Sequence, residues 1–227
     1  DVHAAICVQQ CCSAGKLAKK SPHGQWAFCE DKSVAQMSPN EDLMQEHALL
    51  NRIQLIYDEA RRRLKSHEDL DPSVLKTAAQ TLQHFVEQYH EKNEEQYVFP
   101  RFEKAGVLTD LVSVLRKQHV EGRVLTQEII SLSTLSSFPN SVPRGPLIAS
   151  LSAFTRMYRP HEAREGSVLF PAFRDLLPAQ EFMALGDMFE KVEHQVLGSE
   201  GFEGQVHIVE ELEKKLGIFD IAQFSPK

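Results

Sequence analysis

Apolar residues recur at three- and four-residue intervals from residue 38 onward, and no stretch shows the strict alternation of a strand. The first periodic segment opens on Ser-Pro-Asn-Glu, where Ser38 can cap and Glu41 can reach back, and it predicts a helix to about Lys65. Leu43, His47, Leu50, Ile53 or Gln54, and Tyr57 share its inner face. Asp71-Pro72 starts a second helix by the same device, with Leu75, Ala79, Leu82, Val86, His90 and Glu94 in line. It ends near Lys104, before Gly106, and Pro100 is expected to kink its last turns. A third helix is read from about Leu108 to Leu135, its stripe made of Leu111, Leu115, His119, Gly122, Leu125 and Ile129. Residues 136–146, SSFPNSVPRGP, form the clearest loop. The fourth helix runs from about Pro146 to Phe173, with Leu147, Leu151, Phe154, Tyr158, His161, Glu165 and Val168 or Leu169 on one side, and with Pro160 inside it.

Two shorter helices follow, about Ala179 to Leu197 and Phe202 to Leu216, and the closing GIFDIAQFSP is apolar enough to fold back on them. The pattern is all-α: an up-down-up-down four-helix bundle over 38–175 with a C-terminal helical extension over 176–227. Residues 1–37 lack periodicity and read as a poorly ordered or loosely docked tail. All four cysteines, Cys7, Cys11, Cys12 and Cys29, fall in that tail, where free thiols are a plainer reading than a redox pair.

Composition narrows the function classes. A net charge of −7 with no basic face argues against nucleic acid. No apolar run approaches the ~20 residues of a membrane span, and the tail lacks the apolar core of a signal peptide. A cytoplasmic protein is expected, with an exported mature form left open.

One internal repeat carries the chemistry. HEKNEEQYVFPRF at 90–102 returns as HEAREGSVLFPAF at 161–173, an offset of 71 residues. In a helix, residues i and i+4 point about the same way, so His90 with Glu94, and His161 with Glu165, each aim an imidazole and a carboxylate in one direction. The histidines at 47, 90, 119 and 161 are 43, 29 and 42 residues apart, which returns each to the same level of antiparallel helices. Four imidazoles and two carboxylates suit two first-row metals such as iron, manganese or zinc, and the lack of thiolates argues against a structural zinc site. The plainer alternative is a bundle with these groups at partly wet positions. Burying two unpaired carboxylates costs several kcal/mol each, which favours a metal. Glu91 and Glu162 are turned about 100° from the ligand direction and read as supporting or surface groups. Tyr97 and Tyr158 are candidates to hydrogen-bond a bound oxygen species, and His194 is a candidate fifth histidine ligand.

The pattern His, HxxxE, His, HxxxE, with Phe-Pro after each HxxxE, resembles the hemerythrin-like (HHE cation-binding) domain over roughly residues 39–175. The ending, with EKVEH and KKLGIFDIAQF, is similar to a bacterial subgroup with a C-terminal helical extension. The resemblance implies a non-haem di-iron centre, oxo- or hydroxo-bridged, held by His47, His90, Glu94, His119, His161 and Glu165, with manganese or zinc as substitutes. A small diatomic molecule or peroxide is the expected ligand, and charge and hydropathy point to no nucleic acid or membrane partner. Oxygen-carrying invertebrate hemerythrins have a further histidine, and Arg123 stands here where it would fall. The leading expectation is a protein that binds or senses oxygen, peroxide, nitric oxide, iron or redox state. The alternatives are a di-iron enzyme of iron-sulfur cluster repair or peroxide or nitric oxide turnover, and a metal-stabilised interaction module.

Overall fold

The computed structural model describes residues 37–134 and 144–226. The cysteines, the N-terminal tail and most of the expected loop at 136–146 lie outside them. Among the described residues there are six helices and no strand. Helix α1 is Pro39–Ser66, α2 spans 72–105, α3 is Thr109–Thr134, α4 spans 144–175, α5 is Ala179–Leu197 and α6 is Gly201–Leu216. No helix among them is long and apolar enough to cross a membrane.

Local chemistry sets the ends as expected. Ser38 Oγ accepts from the Glu41 amide while the Ser38 amide donates to Glu41 Oε2 at 2.9 Å, a complete capping box. Asp71 caps α2 by accepting from the Ser73 amide at 2.9 Å. Gly106 ends α2 at φ +69°, a conformation that a residue with a Cβ rarely adopts.

At Pro100 the change is one of local pitch. The helix runs on through it, but widens to π-helical pitch over Glu94–Val98, immediately upstream. The second copy repeats this: Glu165–Leu169 is π-helical ahead of Pro171. A proline removes one N–H from the ladder and crowds the carbonyl four residues back, so the preceding turn opens. Both widened turns begin at the glutamate of the repeat. A third π-helical stretch, Leu82–His90, leads into the first histidine.

Helix α1 lies against α2 and α4, and α3 lies against the same two. The four make a bundle whose core falls into two apolar layers. One contains Leu50, Ile53, Tyr57, Leu75, Leu82, Phe85, Ile129, Leu151 and Phe154. The other contains Leu43, Phe99, Phe102, Val112, Leu115, Phe170 and Phe173. On every helix of the bundle the sequence-predicted histidine falls between the two layers, so a polar stratum crosses the core there. The extension covers one side: α5 and α6 both pack on α1 and α2. Arg52 of α1 forms a two-pronged pair with Glu213 of α6, at 3.0 and 2.7 Å. The closing segment does not fold back as expected. Ile218 is buried, but Phe219, Ile221 and Phe224 are exposed, because the chain turns out into a short 3-10 turn capped by Asp220.

Candidate metal centre

Helix phase brings the six predicted residues to one point. Glu94 and Glu165 are fully buried, and His47, His90, His119 and His161 are each at least 96% buried. His90 Nε2 and His119 Nε2 lie 3.6 and 3.4 Å from Glu94 Oε2. His47 Nε2 and His161 Nε2 lie 3.4 and 3.1 Å from Glu165 Oε2. His47 and His90 face each other Nε2 to Nε2 at 3.2 Å. Two groups able to hold a cation result: His47, His90, Glu94 and Glu165, and His119, His161, Glu94 and Glu165. Both carboxylates belong to both groups.

The donor set fits metal ions on its own chemistry. All four carboxylate oxygens of Glu94 and Glu165 are buried without a hydrogen-bond donor, as is His119 Nε2. Buried carboxylate oxygens are seldom left so. Spacings of 3.1 to 3.6 Å are those of neighbouring donors on a shared ion with bonds of ~2.1 Å.

Around this shell a second one holds the rings. Nδ1 of His90 meets Glu46 Oε2 at 2.5 Å, Nδ1 of His119 meets Glu95 Oε1 at 3.2 Å, and Nδ1 of His161 meets Gln118 Oε1 at 3.0 Å. Each partner is an acceptor, so each of these rings donates from Nδ1 and turns Nε2 inward. Nδ1 of His47 is buried with no partner. Phe99 stacks on His119 and Phe170 lies tilted against His47, at 5.4 and 5.3 Å between centroids. The Phe-Pro half of each repeat therefore covers the histidine of a helix that has no HxxxE.

The electrostatics follow from burial and crowding. Burial and the Glu165 charge raise Glu94 to about 7. Burial alone would raise Glu165 too, but His161 and His47 outweigh it and hold it well below the usual range. Burial pushes His47 down to about 4. His119 moves the opposite way: burial opposes its charge, yet Glu91, Glu94 and Glu95 bring it up to about 10. Burial with Glu193 raises Glu46 well above the usual range, and burial with Glu46 and Glu193 raises its neighbour Asp42 to about 8.

Glu91 and Glu162 are buried rather than at the surface. Glu91 accepts from Tyr158 Oη at 2.6 Å and pairs with Arg123 at 2.7 Å. Glu162 accepts from Asn51 at 2.6 Å and from Gln54. Glu91, Glu95 and His119 form a third group with cation-binding geometry. The Arg123 guanidinium already pairs with both carboxylates of that group, 2.5 Å from Glu95. Arg123 thus explains its place one turn after His119. Gly122 leaves room for Tyr158, whose hydroxyl lies 2.1 Å from where a Cβ would stand.

Tyr97 and His194 are not brought to the centre. Tyr97 packs on Phe189 with centroids 6.0 Å apart, and His194 is exposed on α5. Sequence reasoning missed Glu46, Glu95, Gln118, Asn51 and Gln54. A signal for two of them was present, since Glu46 and Gln118 each immediately precede a predicted ligand histidine.

Comparison with known proteins agrees with this geometry. Residues 38–173 match the hemerythrin HHE cation binding domain. The chain is 46% identical over 186 residues to an uncharacterized protein of Mycobacterium bovis and to uncharacterized proteins of two strains of Mycobacterium tuberculosis, covering 82% of this chain and 73% of each relative. No solved structure matches. With a family match across most of its length, the chain belongs to the hemerythrin HHE cation-binding family.

Proposed function

We propose that this protein is a non-haem di-iron protein that binds or senses oxygen, peroxide, nitric oxide, iron or redox state. The observation that carries the reading is the pair of glutamates whose four buried oxygens lack donors and are ringed by four imidazoles. His47 and His90 would hold one ion, His119 and His161 the other, and Glu94 and Glu165 would be shared. Imidazole with carboxylate suits iron, with manganese or zinc as substitutes. Two irons with open positions would supply binding and one-electron chemistry toward small oxygen and nitrogen species.

The chain's own residues do the rest. Glu46, Glu95 and Gln118 hold three rings with Nε2 inward, so little reorganisation accompanies loading. Loading must displace the proton carried by His119, so affinity rises with pH. Phe99 and Phe170 keep water from the rings they cover. Tyr158, a candidate proton donor to a bound species, spends its hydroxyl on Glu91, and Tyr97 packs on Phe189. The Tyr158 hydroxyl is thus engaged away from the six residues.

The test is metal analysis of anaerobically purified protein, then an absorption spectrum before and after air. About two irons per chain and new near-ultraviolet and visible bands are expected. Zinc alone, or no metal and no spectral change, would end the di-iron reading and leave a metal-stabilised or plain interaction module.

A further inference from the structure

The bundle is an internal two-fold in sequence register. Residues of α2 map onto α4 by the repeat offset of 71, and His47 of α1 maps onto His119 of α3. Under that mapping Glu46 falls on Gln118, and Asn51 falls on Arg123. The hydrogen bonds obey it. Glu46 of α1 supports His90 of α2, and Gln118 of α3 supports His161 of α4. Asn51 supports Glu162, and Arg123 supports Glu91.

One position breaks the symmetry at the metal shell. Glu95, the residue after Glu94, supports His119. Its counterpart after Glu165 is Gly166. A glycine has no side chain to offer, and His47 Nδ1 is accordingly buried with no partner. The space is taken by α1's own Met44, whose Sδ lies 2.8 Å from where a Cβ at 166 would stand.

We infer that the two metal positions differ in affinity, and that the position between His119 and His161 is the tighter. This rests on the di-metal reading. Each position has one imidazole supported by a carboxylate, His90 by Glu46 and His119 by Glu95. The second imidazole is supported by Gln118 in one position and by nothing in the other. A lost outer partner costs roughly 10- to 100-fold in metal affinity. The shared glutamates do not distinguish the positions, since each belongs to both groups. A first ion therefore settles at His119 and His161, and a second fills His47 and His90.

The experiment is an anaerobic equilibrium titration of the full chain with ferrous iron against graded chelators, read as bound iron per chain. Two steps, about 10- to 100-fold apart, are expected with a plateau at one iron. His47→Ala should keep the tighter step and lose the weaker, and His161→Ala should do the reverse. Circular dichroism checks that each variant is folded. Gln118→Leu leaves all six ligands in place and should narrow the gap, and Gly166→Glu with Met44→Ala should tighten the weaker step. Loss of both irons in one step, or retention of the tighter step by His161→Ala, would overturn the inequality while leaving two sites. Saturation at one iron per chain or fewer in the unaltered protein would overturn the di-metal reading, and this inference with it.

Discussion

Helices α1 and α3 support equivalent glutamates of the repeat, Glu162 and Glu91, by unlike means. Asn51 and Gln54, neutral amides, hold Glu162. On the other side the full charge of Arg123 holds Glu91 and Glu95, and Tyr158 adds a hydroxyl. Burial, with Glu165 adding to it, accordingly raises Glu162 to about 8, whereas Glu95 is held well below the usual carboxylate range by His119, Lys92 and Arg123 against its burial. The α1–α2 half also carries the extension, and burial with the charge of Glu193 on α5 raises its Asp42 and Glu46. The lesson is that a repeated motif sets ligand positions, while the residues between the repeats set charge. Glu162 is supported by neutral amides, Glu91 and Glu95 by an ion network.

The strongest way to break the comparison is to remove a group both halves share. Glu165→Ala should abolish two-metal loading and lower the melting temperature of the metal-loaded protein by more than about 5 °C. The metal-stripped protein should lose less, since there Glu165 answers only to His161 and His47. Metal analysis and calorimetry of both forms check this; equal losses in both would mean Glu165 is structural only.

Next in size, Arg123→Leu strands two carboxylates and should cost about 3 kcal/mol. Asn51→Leu, its counterpart, should cost about 1 kcal/mol, since Gln54 still serves Glu162. Denaturant melts compare the two, and equal costs would contradict the charge asymmetry.

Gly122→Ala drives a methyl against the Tyr158 hydroxyl and should cost about 1–3 kcal/mol. Combining it with Tyr158→Phe should recover part of that loss, which a double-mutant cycle in denaturant melts measures.

A further test concerns pH. Asp42 is raised to about 8 in the folded metal-free protein from an ordinary value of 3.8. Between these values the folded state binds the extra proton, so stability contributed by protonated Asp42 is present at low pH and lost as pH rises toward 8. Asp42→Asn should flatten that fall, so its melting temperature drops less between pH 5 and pH 8 than that of the unaltered protein. Melting curves of the metal-stripped protein across pH 5 to 8 decide it.

The sequence by itself determined the all-α fold, because apolar periodicity, the Ser38 and Asp71 caps and Gly106 are local signals that survive unchanged in the structure. It also determined that His47, His90, Glu94, His119, His161 and Glu165 would meet, since helix phase and similar loop lengths leave them little choice of level. Only the tertiary structure decided which second residue each imidazole touches. Glu46 reaches His90 across 44 positions and Gln118 reaches His161 across 43, and no period in the chain encodes such pairings. The same holds for the exposed closing segment, whose apolar composition pointed inward while its capped turn carried it out. Local rules act within a few residues along one helix, whereas the partner of a buried polar group is chosen by whichever neighbour the packing brings within about 3 Å.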